Sequence, residues 1–122
     1  MTNAITFFEI SGPDRESLRR FYIEGLGLDV APFDGDYAGV APREGAIAGG
    51  LWDGTATFGQ YAIPYVEVPD VKAAVEQATA AGATVVVPPT THGPSLTAHV
   101  TDPAGNRIGL FHMLETPGDT AG

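Results

Sequence analysis

The chain has 122 residues, enough for one domain with a real core and too few for two independent ones. It has no cysteine, which excludes disulfides, thiolate chemistry and zinc–sulfur sites. Fifteen acidic residues against six basic ones give a net charge of −9, the wrong sign for nucleic acid or an anionic membrane as partner.

No apolar run approaches membrane length, and the N-terminus has no basic-then-apolar signal, so a cytoplasmic location is expected. Sixteen glycines and ten prolines lie between apolar runs, which suits short strands and tight turns rather than disorder.

Ile5 to Ile10 is β-rich and reads as a strand, broken by Ser11-Gly12-Pro13-Asp14. Asp14 suits a helix N-cap. The segment to Glu24 puts Leu18, Phe21 and Tyr22 at helical spacing, with Arg15, Glu16, Arg19 and Arg20 on the other face. Short strands are expected at Leu28–Ala31, Tyr37–Ala41 and Ala46–Leu51, and a linker at about 53–60. The pattern then repeats. Ile63 to Val68 reads as a strand. Asp70 caps a helix with Val71, Ala74, Val75, Ala78 and Ala81 on one face, ended by Gly82. Thr84–Val87 reads as a strand stopped by Pro88-Pro89. The tail, 115–122, is expected to fray.

Ala98 to His112 reads as a hairpin. Asp102 opens a type I turn, Pro103 pre-sets φ, and Gly105 takes the left-handed position of a three-residue loop. That register sets Asp102 opposite Asn106 and His99 opposite Gly109, on one face of the pleat.

Asp102-Pro103-Ala104-Gly105-Asn106 followed by Ile108-Gly109-Leu110-Phe111 resembles the last hairpin of the vicinal oxygen chelate superfamily, which includes glyoxalase I, extradiol dioxygenases and bleomycin-binding proteins. Phe8-Glu9-Ile10 through Leu26-Gly27-Leu28 and Asp70-Val71 through Ala81-Gly82-Ala83 are similar to it too, so the resemblance runs from Phe7 to Phe111. It implies an α+β fold of two tandem βαβββ modules, about 4–52 and 61–114, whose sheet curves around a central cavity with the helices outside. It also implies a homodimer. Metal-binding members place His, Glu or Gln ligands on four strands. Counting from the helix caps and the last hairpin, the matched positions here are Phe7, Ile63 and Gly109, and the fourth falls near Gly49 to Leu51. None carries an oxygen or imidazole ligand. No metal or other cofactor is therefore expected, and glyoxalase or dioxygenase chemistry is put in doubt.

Alternation along the strands sends Phe8 and Ile10, Val66 and Val68, and Ile108 and Leu110 to the helix side. Phe7, Glu9 and Ser11, Tyr65 and Glu67, and Arg107 and Phe111 then face the cavity, with Thr97 and His99. Tyr37 and Trp52 lie in or beside loops that could close its mouth. Glu9 stands out, since a carboxylate inside an apolar strand is costly unless it has partners. His99 is the other titratable candidate. The expected function is binding of a small planar or aromatic molecule through Phe7, Glu9, Tyr37, Trp52, Tyr65, Glu67, Thr97, His99, Arg107 and Phe111. One alternative is a lyase or isomerase with Glu9 and His99 as acid and base, or with a metal relocated onto them. Another is a non-catalytic interaction module.

Overall fold

The structure, a computed structural model, describes residues 2–114; the tail at 115–122 lies outside them. The chain is α+β and divides into two compact units. One is Thr6–Ile63; the other takes in Pro64 onward together with the residues up to Ile5.

In the first unit, β1 (Ala4–Ser11) is followed by α1 (Arg15–Arg20), a π-helical turn (Phe21–Gly25), β2 (Tyr37–Val40), β3 (Ala48–Trp52) and a four-residue helix α2 (Thr55–Phe58). The strand order is β2-β3-β1, with β1 parallel and β2 antiparallel to β3. Asp14 caps α1 by accepting from the Ser17 N–H at 3.1 Å. The helix then covers β1: Phe8, Ile10, Leu18 and Tyr22 pack on Val30, Ala38, Val40 and Leu51.

Three local expectations are corrected here. The helix does not run uniformly to Glu24, because it widens into the π turn after Arg20. The strand expected at Leu28–Ala31 shrinks to a single bridge, Val30 to Val40. The Arg19 guanidinium takes the Val30 and Ala31 carbonyls at 3.0 and 2.9 Å, and Pro32, with no N–H, follows. The expected linker contains α2, whose Phe58 ring packs edge-on against Trp52 with centroids 5.0 Å apart.

β4 (Tyr61–Glu67) leads into the second unit, which continues with α3 (Val71–Ala80), β5 (Thr84–His92), β6 (Ser95–Thr101) and β7 (Arg107–Met113). The order is β4-β7-β6-β5. Asp70 caps α3 by accepting from the Lys72 and Ala73 N–H groups, and His112 Nδ1 accepts from the Val71 N–H at 3.0 Å. The helix buries Val71 and Val75 on Val68, Leu96, Ala98, Val100 and Leu110. Pro88 and Pro89 do not stop β5. It lies at the end of this strand order, and its register on β6 slips across Val85–Thr90, so that neither proline falls on a paired position.

The last hairpin has the expected register, with His99 opposite Gly109 and Thr97 opposite Phe111. The Asp102 carboxylate accepts from the Ala104 and Asn106 N–H groups, both at 2.9 Å, and from Asn106 Nδ2 at 3.1 Å. These bonds, the Asn106 N–H first, hold the Asp102 carboxyl below the usual range. Gly105 sits at φ 92°. Among the described residues no helix is long and apolar enough to cross a membrane.

Gly105→Val forces a β-branched residue into the left-handed region and should lower stability by about 1–3 kcal/mol in chemical denaturation. An unchanged midpoint would show that the turn does not need that conformation.

Candidate functional site

Both units use the same local device: a glycine in a strand with an aromatic ring laid over it. In the first unit, Gly50 stands opposite Glu9 on β1 and Gly39 on β2. The Tyr37 ring, two residues along from Gly39, leans over Gly50, where an added Cβ would overlap it. This brings the Tyr37 hydroxyl to Glu9, donating to Oε2 at 3.0 Å. Tyr61 donates to the other carboxylate oxygen at 2.5 Å. Glu9 is only 3% exposed, and these phenols meet part of the desolvation cost of its carboxylate. Gly49 next door is covered by Phe8 in the same way, on the helix side.

In the second unit, Tyr65, Gly109 and His99 form one row across β4, β7 and β6. The Tyr65 ring fills the space a Gly109 side chain would take. It reaches across the glycine so that its hydroxyl lies 2.7 Å from His99 Nε2. Phe111 meets the Tyr65 ring edge-on, with centroids 5.8 Å apart. On the other side of the imidazole, Arg107 Nη1 is 3.4 Å from Nδ1. A guanidinium only donates, so Nδ1 accepts, and the ring proton sits on Nε2 and is donated to the Tyr65 oxygen. His99 is wholly buried. Burial above all, then the Arg107 charge and His92, lowers its pKa to about 4, so the ring is neutral at pH 7.

The expected residues therefore fall into two groups. Glu9 and Tyr37 meet in the first unit, and Tyr65, His99, Arg107 and Phe111 meet in the second. Thr97 is buried on the row of Phe111, 3.3 Å from the Ser95 hydroxyl. Phe7 is half-buried and Glu67 is exposed. Trp52 is the last residue of β3, buried, with its indole N–H donating to Asp36 at 3.1 Å. Tyr61 is a residue of the Glu9 group that sequence reading missed. Its parity with Ile63 and Tyr65 marks it, once the strand is known to begin two residues before Ile63.

A divalent ion fits these residues poorly. Phe7, Ile63 and Gly109 supply no donor atom, and the Tyr65 ring occupies the space above Gly109 from which a longer side chain would reach. Among the described residues, no three His, Asp or Glu side chains gather as a metal site.

A profile of the Glyoxalase/Bleomycin resistance protein/Dioxygenase superfamily matches residues 4–110, and the chain belongs to that superfamily. No curated protein matches it. Solved structures share the fold at low identity. A methylmalonyl-CoA epimerase from Streptomyces coelicolor, in complex with 2-nitronate-propionyl-CoA, is 16% identical with a TM-score of 0.67, over 94% of this chain and 100% of that one. A structure described as an NAD-dependent benzaldehyde dehydrogenase from Legionella pneumophila is 15% identical with a TM-score of 0.67, over 88% and 97%. A member of the superfamily from Vibrio splendidus is 15% identical with a TM-score of 0.58, over 91% and 99%.

The depressed His99 pKa gives a signed pH dependence. The unfolded chain takes up a proton near pH 6.5 and the folded chain only near 4, so stability is fully present above 6.5 and drains away as pH falls through that window. Urea denaturation should show a loss of about 2 kcal/mol between pH 7 and pH 5 that is absent from His99→Gln. The same slope in both proteins would mean that His99 titrates normally in the fold.

Proposed function

We propose that this chain binds a small planar or aromatic organic molecule without a divalent metal, the nearest analogy being sequestration of the bleomycin-resistance kind. The observation that carries this reading is the Tyr65 ring, which fills the space over Gly109 at the superfamily's last-strand ligand position and spends its hydroxyl on a neutral imidazole. Glu9, held by Tyr37 and Tyr61, is the anchoring group, suited to a ligand N–H or O–H. In the other unit, the group of Tyr65, His99, Arg107 and Phe111 offers ring faces and hydrogen bonds of its own, the mixture found in small-molecule sites. The reading takes the protein as a cytoplasmic homodimer with no nucleic-acid or membrane partner.

The enzymatic alternative asks His99 to exchange protons near neutral pH. With a pKa of about 4, and with Nδ1 facing Arg107, it is a weak base. This favours binding over acid–base turnover.

The experiment has two parts. Elemental analysis of protein purified without chelators should find less than one zinc, nickel, manganese or iron per chain. Glu9→Gln keeps the shape of the side chain and removes its charge. Across a panel of planar aromatic ligands that includes bleomycin, it should weaken binding, followed by Trp52 fluorescence, by about 1.5–3 kcal/mol. One metal per chain that depends on Glu9 and His99, or undiminished binding by the variant, would overturn the reading.

A further inference from the structure

The first unit also holds a cleft of about 630 Å³ between the start of α1 and the start of β4, bordered by Tyr61, which donates to Glu9. We propose that this cleft is a binding site for a flat aromatic amine that is cationic at neutral pH. The proposal goes beyond the function argued above and does not depend on it.

Three observations carry it. The first is the aromatic wall. Phe21, on the π turn, lines the cleft while 55% exposed, and its ring stands edge-on to Tyr22 with centroids 5.1 Å apart. A large apolar ring left in solvent at the rim of a cavity is surface that a ligand ring can cover, and π turns occur often at functional sites. Ile10 and Leu18, which pack on the core of this unit, also line the cleft.

The second is the polar complement. Ser17 and Gln60, both exposed, also line the cleft. Asp14 uses Oδ1 to cap α1 through the Ser17 N–H, which leaves Oδ2 for a ligand. A flat apolar body therefore meets ring faces, while a polar head meets a carboxylate, a hydroxyl and an amide.

The third is the sign of the charge. Asp14 is the charged residue of the lining, which has no lysine or arginine. The chain's net charge of −9 draws cations and repels organic anions.

Tryptamine and indole-3-propionate share a ring and have similar side chains of opposite charge, so they serve as probes, with the full chain followed by amide NMR. Tryptamine should shift the Ser17 and Phe21 amides saturably and bind about tenfold or more tightly than the propionate. Asn caps a helix as well as Asp does, so Asp14→Asn should fold and reduce that preference to about threefold or less. Phe21→Ala should weaken tryptamine about tenfold. Should Phe21→Ala fail to fold, Asp14→Asn decides alone. Equal affinity for the two probes, no saturable shift at Ser17 and Phe21, or an undiminished preference in Asp14→Asn would overturn the proposal.

Discussion

The Tyr65 ring lies where Gly109 would otherwise carry a side chain, and the chemistry of the second unit follows from that contact. Only glycine on the middle strand lets a ring cross from β4 to β6 and set its hydroxyl 2.7 Å from His99. The ring covers the glycine's exposed backbone, a recognised way to recover stability that glycine costs a strand. It also shuts water away from the imidazole. Desolvation then combines with the Arg107 charge to fix a neutral ring with its proton on Nε2. Any side chain at residue 109 has to displace the ring, and the hydrogen bond and the low pKa go with it.

The first unit solves a similar problem with a different polar group. Gly50 gives Tyr37 room to lie down, and Tyr37 with Tyr61 supplies the hydroxyls that a buried Glu9 needs. Here the buried group is a carboxylate satisfied by neutral donors; there it is an imidazole held neutral. Both arrangements satisfy a buried polar group with phenol hydroxyls.

The legible parts of the chain are those governed by local chemistry. Asp102-Pro103-Ala104-Gly105-Asn106 encodes its own turn through short-range bonds, so the pairing of His99 with Gly109 follows from sequence. The caps at Asp14 and Asp70, and the alternation that sends Phe8, Ile10, Val66 and Leu110 under helices, are equally local. Tyr61 escapes such reading because it meets Glu9 across 52 residues, and Tyr37 meets it across 28. Glycines 49, 50 and 109 read as gaps in a ligand pattern, whereas in the fold they are the floors on which rings rest. Pro88 and Pro89 mislead for a related reason: proline ends a central strand but not one at the end of its strand order.

The ring proton of His99 is the most direct test of the ring-over-glycine account. Long-range proton–nitrogen NMR of the imidazole should find Nε2 protonated and Nδ1 bare at pH 7, with a titration midpoint near 4. In Gly109→Ala that midpoint should move back toward the ordinary value. A native midpoint at or above 6.5, or a proton on Nδ1, would contradict it.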